Sequence, residues 1–200
     1  LLAAFGTLLY RYTGQDDVVV GTTISGRNRS EIEGLIGFFV NTLVLRTDVS
    51  GNPSFRELLQ KVRAMAMSAY ANQELPFEKL VEQLQPERSL SYNPLFQVMF
   101  VLQNTPKQTL ELPGLSLTQF EVNNFTSTFD LTLSVVETEQ GLEGFWEYST
   151  DLFDVARIER MSQHFQTLLQ AIVTDPQQQI THLPLLTPNE RQQLLVEWNN

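Results

Sequence analysis

The sequence of 200 residues contains no cysteine, which removes disulfides, thiolate zinc sites and thiol nucleophiles from consideration. Histidine is nearly as scarce, with two copies, His164 and His182. Neither has neighbours spaced for a catalytic triad or a metal site. Positive charge is thin and scattered: 13 Lys and Arg stand against 23 Asp and Glu, for a net charge of −10. That balance speaks against a nucleic-acid partner and against an anionic membrane surface. No apolar run exceeds five residues, as in Val98 to Leu102, which is far short of a membrane span. What is present is ordinary for a folded domain: 42% hydrophobic and 18% charged residues. The missing thiols fit a reducing compartment, so a cytoplasmic location is expected. Residue 1 is Leu rather than Met and lies inside an amphipathic stretch, so a cut N-terminus is expected.

Periodicity lays out the elements. Leu1, Ala4, Phe5, Leu8, Leu9 and Tyr12 share one helical face, with Gly14 as C-cap. Asp17 to Ile24 reads as a strand whose Val18-Val19-Val20 run expects burial on both faces. Ser30 to Glu33 reads as a capping box opening a short helix, and Phe39 to Thr47 as a strand. Ser54 and Glu57 form a second capping box. The helix behind it places Phe55, Leu58, Leu59, Val62, Met65, Ala66 and Ala69 inward. Pro76 precedes a helix over Phe77 to Leu84. Strands are expected over Phe96 to Leu102 and Leu115 to Val122, with a breaker-rich loop from Asn104 to Gly114 between them. Phe129 to Val136 and Leu142 to Tyr148 read as an antiparallel hairpin. Asp154 caps a long helix with Val155, Ile158, Met161, Phe165, Leu168, Leu169 and Ile172 inward, ended by Pro176. Thr187-Pro188-Asn189-Glu190 combines an N-cap, Pro at the first helical position and a capping glutamate. Leu183, Leu185, Leu186 and Trp198 in this tail call for burial. The order of helices and strands favours an α+β fold, a mixed sheet covered by helices on one side.

Chemistry is hard to find in these residues. The carboxylates Glu31, Glu33, Glu57, Asp154 and Glu190 sit on helix first turns, where they serve the dipole. His164 flanks an apolar stripe and reads as a partly buried structural residue. No catalytic residue and no metal ligand is expected within this chain.

Three segments carry more. Ile36-Gly37-Phe38-Phe39-Val40-Asn41-Thr42-Leu43-Val44-Leu45-Arg46 resembles the fifth core motif of the condensation domains of non-ribosomal peptide synthetases. Asn72-Gln73-Glu74-Leu75-Pro76-Phe77-Glu78 resembles the sixth. The stretch Arg88 to Gln97, with Asn93, Pro94, Leu95 and Phe96, is similar to the seventh. They stand in the family's order with family-like spacing. Softer likenesses run through Tyr12 to Asp17, Phe129-Asp130-Leu131 and the tail from Leu183 to Asn199. Glu74, Ser89, Tyr92 and Thr128 depart from the pattern. The family's His-His-x-x-x-Asp-Gly motif is nowhere in the chain.

The resemblance implies a chloramphenicol acetyltransferase-like fold, a two-layer sandwich, of which this chain is the C-terminal half. It implies a C-terminal subdomain over residues 1–176 and a linker toward a following adenylation domain over 177–200. Partners would be the N-terminal condensation subdomain, peptidyl carrier proteins and that adenylation domain. No cofactor is bound directly; phosphopantetheine arrives on the carriers. Gly37, Phe39, Asn41 and Thr42 would line the substrate tunnel, and Arg46, Pro76, Phe77, Glu78, Arg88, Asn93 and Pro94 would be structural residues of the motifs. For Asn41, a tunnel contact and a structural hydrogen bond to a neighbouring loop stand side by side, because Asn is disfavoured in mid-strand and its amide needs partners. Gly37 reads either as a tight turn or as a plain helix C-cap. An epimerisation domain of the same superfamily and a non-catalytic carrier-docking module are the alternatives. The fragment alone is expected to be inactive.

Overall fold

The structure is a computed structural model that describes residues 1–87, 89, 92–103 and 126–199. The expected loop Asn104 to Gly114, the expected strand Leu115 to Val122 and the motif residue Arg88 lie outside the described residues. Along the chain run α1 (Leu2–Thr13), β1 (Asp17–Ile24), α2 (Ser30–Glu33), β2 (Asn41–Asp48), α3 (Phe55–Ala71), α4 (Phe77–Leu84) and β3 (Val98–Gln103). Then follow β4 (Leu131–Thr138), β5 (Gly141–Tyr148), α5 (Val155–Thr174), α6 (Pro188–Leu195) and a 3₁₀ turn over Glu197–Asn199.

The strands form one mixed sheet in the order β2-β1-β3-β4-β5. Its β1–β2 and β4–β5 pairs are antiparallel. The inner pairs β1–β3 and β3–β4 are parallel. Alternation along the strands decides which side is covered. Val18 and Val20 of β1, Phe100 of β3 and Leu131, Leu133 and Val135 of β4 all point into the same core. Helices α1, α3 and α5 meet them there with Phe5, Leu8, Leu58, Val62, Phe165 and Leu168. Phe5 anchors this layer: its ring lies 5.7 Å from Phe100, 6.0 Å from Trp146 and 6.3 Å from Phe165, separations at which aromatic pairs attract beyond their buried area.

The opposite face holds a smaller aromatic stack. Gly21 of β1 carries no side chain, and Phe96 fills the space, so that a Cβ there would sit 2.1 Å from its ring. Phe96 stacks on Phe129 at 5.3 Å and meets the edge of Phe77 at 5.8 Å.

Several caps form as the sequence implies. Ser54 with Glu57, and Thr187 with Glu190, make complete capping boxes. Asp154 accepts from the N–H of Arg157 at 2.7 Å, and Gly14 ends α1 in the left-handed region. Ser30 does not: it is already the first helical residue of α2, the N-cap is Arg29, and no side chain caps that turn. Leu59, expected inward, is exposed: it stands at the side of the buried line through Phe55, Leu58 and Val62 and borders an open groove. Val155, at the first turn of α5, is exposed too. In the stretch after Pro176, Ile180 and Leu183 are fully buried in the core and Leu185 packs against it. Arg11 of α1 holds that stretch through the carbonyls of Ile180 and Leu183, at 3.0 and 2.8 Å. Leu186 and Trp198, expected to be buried, are exposed. Among the described residues, no helix is long and apolar enough to cross a membrane.

Candidate functional site

A cavity of about 630 Å³ opens where β2 begins, between the loop after β1 and the turn before α4. Phe39, Asn41 and Thr42 line it from one motif, and Pro76, Phe77 and Glu78 from the next. Two segments more than thirty residues apart are thus brought together, and Asn41 does the joining. Its amide nitrogen donates to the carbonyls of Gln73 and Leu75, at 2.9 and 2.8 Å. Its oxygen accepts from the backbone N–H of Thr42 at 2.9 Å and from that of Phe77 at 3.1 Å. The second contact supplies what α4 lacks, since its N-cap is Pro76 and has no side-chain cap. Both N–H donors and both acceptor positions of one primary amide are thus used, four hydrogen bonds in all. The side chain still faces the cavity edge, half-buried.

Gly37 turns out to be neither a left-handed turn nor the helix cap, which is Gly34. Its lack of a side chain is used in close packing: a Cβ would come within 3.0 Å of the Phe39 ring. Gly37 stands behind Phe39 and not among the residues lining the cavity. Arg46 sits at the far end of β2, where it holds Asp17 in a bidentate pair at 2.8 Å, away from the cavity. Asn93 donates to the carbonyl of Thr128 at 3.2 Å and accepts from Gln97 at 3.0 Å. Pro94, half-buried, follows it toward Phe96. The third motif therefore reaches the cavity indirectly, through the Phe96–Phe77 contact.

One important residue escaped the sequence reading. Arg27, in what reads as a plain loop, gathers the segment that carries Phe39. Its guanidinium donates to the carbonyls of Ile32 at 2.5 Å, Glu33 at 3.2 Å and Gly37 at 3.4 Å. It also lies 4.4 Å above the centre of the Phe39 ring, a favourable seat for a cation. Next to it Gly26, at φ +65°, lets the backbone press against Phe39, so close that a Cβ would sit 1.8 Å from the Phe39 carbonyl oxygen. Nothing in the sequence marked it: β1 ends at Ile24, and Ser25 to Arg29 reads as an ordinary loop. Asn28 adds a weaker tie to Glu74 at 3.3 Å. The apolar tip that this clamp holds, Leu35, Ile36 and Phe38, is exposed, with Ile36 and Phe38 almost fully so at 105% and 90%. Among the described residues, no cluster of His, Asp or Glu could hold a metal ion. The site is a wall of shape, amide groups and aromatic rings.

Comparison with known proteins places this geometry. The family model for the condensation domain matches residues 1–195. A linear gramicidin synthase of Brevibacillus parabrevis is 59% identical over 202 residues, covering 100% of this chain and 4% of its own length. The dimodular nonribosomal peptide synthase of Bacillus subtilis (strain 168) is 44% identical over 207 residues, covering 100% of this chain and 9% of its own. The chain thus spans a small part of the curated relatives it matches. Among solved structures, a four-domain nonribosomal peptide synthetase bound to AMP and glycine superposes with a TM-score of 0.85 at 25% identity, over 94% of this chain and 16% of that one. The X-domain from teicoplanin biosynthesis gives 0.83 at 30% identity, over 92% and 43%. The chloramphenicol acetyltransferase-like fold follows from these neighbours and from the mixed sheet with its helical layer. By its family match and its relatives, the chain belongs to the condensation domains of non-ribosomal peptide synthetases.

Proposed function

We propose that this chain is the C-terminal half of a condensation domain that joins a donor acyl or peptidyl thioester to an acceptor aminoacyl thioester. The acceptor amine attacks the donor thioester carbonyl, the C–N bond forms, the C–S bond breaks, and the carrier's pantetheine thiol is released. Both reactants arrive on peptidyl carrier proteins, so placement of two tethered ends in one channel contributes much of the rate. The observation that carries this reading is the convergence of Phe39, Asn41 and Thr42 with Pro76, Phe77 and Glu78 on one cavity. Its volume of about 630 Å³ suits an extended arm and its terminal acyl group. Asn41 and Phe39 supply the wall, Arg27 and Gly37 hold Phe39 in place, and the bond-forming histidine belongs to the N-terminal subdomain. The stretch 177–200 leads toward an adenylation domain, and the whole enzyme works in the cytoplasm.

Joined to a matched N-terminal half, the chain should support condensation between two loaded carrier proteins, measured as dipeptidyl carrier by mass spectrometry. By itself it should give none. Product from this chain alone, or from the joined protein after its paired histidines are replaced, overturns the reading.

A second reading, a non-catalytic docking module, has one specific observation behind it: the X-domain of teicoplanin biosynthesis, 30% identical to this chain, has been solved in complex with OxyB. Under that reading the joined protein binds a partner but forms no dipeptide, with its histidines intact.

A further inference from the structure

The attachment of α6 to the body is unusually slight. None of its residues is buried. Leu194, Leu195 and Val196 at its end, and Trp198 just beyond, are exposed. Among the described residues, a single side-chain contact ties it by hydrogen bonding to the rest of the fold: Nε2 of His164 lies 3.1 and 3.0 Å from the two oxygens of Glu190. The chain immediately before is fixed, since Leu183 is fully buried. The change from fixed to lightly held chain therefore falls within a few residues.

His164 is unusual in its own right. It sits on α5 with 5% exposure, and its other nitrogen, Nδ1, lies 2.7 Å from the hydroxyl of Tyr12 on α1. With the proton on Nε2, the neutral ring donates to Glu190 and accepts from Tyr12, so both nitrogens are satisfied without a buried charge. The protonated ring keeps the bond to Glu190 and donates to the Tyr12 oxygen instead. The link therefore survives either state of the imidazole. Burial pushes the Tyr12 hydroxyl above its ordinary value, with Arg160 and Arg157 pulling the other way and Glu190 adding to the rise. It stays a donor at neutral pH. Burial also pushes the Glu190 carboxyl up, but bonds from the Thr187 N–H and hydroxyl and from His164 outweigh it and hold the group below the usual glutamate range. One carboxylate thus closes the capping box, at 2.8 Å from both Thr187 donors, and anchors the helix.

We infer that Tyr12, His164 and Glu190 form a pin that fixes the first turn of α6 to the body, and that this pin, rather than apolar packing, sets how firmly the whole helix is held. The pin joins α1, α5 and α6, and its middle residue is buried. It is independent of the tunnel reading.

Amide exchange followed by mass spectrometry on the intact protein tests the pin, using peptides that cover α6 and, as a control, α5. Thr187→Ala removes cap bonds and leaves the pin. Glu190→Ala removes both, and His164→Leu removes the pin alone. We expect His164→Leu and Glu190→Ala each to speed exchange in α6 by at least about tenfold, as for the loss of one well-made charge-assisted hydrogen bond. Thr187→Ala should have a smaller effect, α5 should be unchanged, and the variant combining His164→Leu with Glu190→Ala should exchange no faster than Glu190→Ala. If His164→Leu leaves α6 at the wild-type rate, or loosens α5 and α6 alike, the pin does not exist. Equal acceleration by Thr187→Ala and Glu190→Ala overturns it as well, and that pair of variants leaves the buried histidine in place.

Discussion

Phe5, Leu58, Leu133 and Leu168, on the helix-covered side of the sheet, are within 1% of complete burial, whereas Ile36 and Phe38, beside the cavity, stand almost entirely in solvent. The first region is held by apolar area removed from water. The second is held by side chains that reach for backbone carbonyls and N–H groups, Arg27 over the residues 32–37 turn and Asn41 over the residues 73–77 turn. An apolar core tolerates small changes of position but not loss of volume. A polar clamp contributes less energy and more geometry: if one partner is lost, the groups it satisfied are left to find water. The two regions should therefore answer mutation differently, the core by unfolding and the cavity wall by local loosening.

The largest effect is expected in the core. Phe5→Ala removes a ring that touches three other aromatic residues at zero exposure and should cost about 3–5 kcal/mol. Denaturant unfolding should show a lower midpoint, and amide exchange should rise in every helix of the layer. A loss confined to α1 would show that the layer is not one cooperative unit.

Asn41→Ala should cost about 1–3 kcal/mol, the range for orphaning partly buried hydrogen-bonding groups. Exchange should accelerate chiefly at the amides of Thr42 and Phe77, which bond to the Asn41 oxygen at 2.9 and 3.1 Å. The start of α4 would thus loosen together with any loss of condensation. Unchanged exchange at Phe77 would mean that the clamp does not hold the start of α4.

This contrast also explains what could be read in advance. The core was legible because its signals are local and periodic: Phe55, Leu58 and Val62 repeat at helical spacing, and Leu131, Leu133 and Val135 alternate. Capping glutamates at 57 and 190 were legible for the same reason, being three residues from their Ser and Thr partners. The motif segments could be matched as patterns, but their geometry could not be deduced. Asn41 was marked as a polar residue out of place in a strand, yet its partners at Gln73, Leu75 and Phe77 depend on where α3 ends. Arg27 had no local signal, because its partners are carbonyls that every residue possesses. His164 was readable as buried but not as bonded, since Tyr12 and Glu190 approach it only after three helices pack.

A smaller effect, of opposite sign, is expected at Gly6. It is buried in the middle of α1, and a Cβ there would meet nothing within 4 Å. Gly6→Ala should raise stability by about 0.5–1 kcal/mol, through helix propensity and a less mobile unfolded chain. A higher thermal midpoint checks this. A lower one would mean that the helix layer closes over the space when loaded with a methyl group.

The smallest effect belongs to a motif residue, Arg46, and it sharpens the comparison most. Its pair with Asp17 has good bidentate geometry, but the two side chains are 74% and 53% exposed. The hydrogen bond from Arg46 holds the Asp17 carboxyl below its ordinary value, with the guanidinium's charge adding to that effect and burial and Asp48 opposing it. A carboxyl lowered in the folded state stabilises above its unfolded pKa, and that contribution disappears as the pH falls through the folded value. Asp17→Asn should therefore match the wild type in strong acid and fall slightly below it at neutral pH, with the gap closing as salt screens the pair. Thermal midpoints across pH at low and high salt measure this directly. A gap at neutral pH as large as that of Asn41→Ala, or one insensitive to salt, would show that the edge of β1 and β2 is held as firmly as the cavity wall. A recognisable position in a motif would then predict energetic weight, which the exposure of this pair argues it does not.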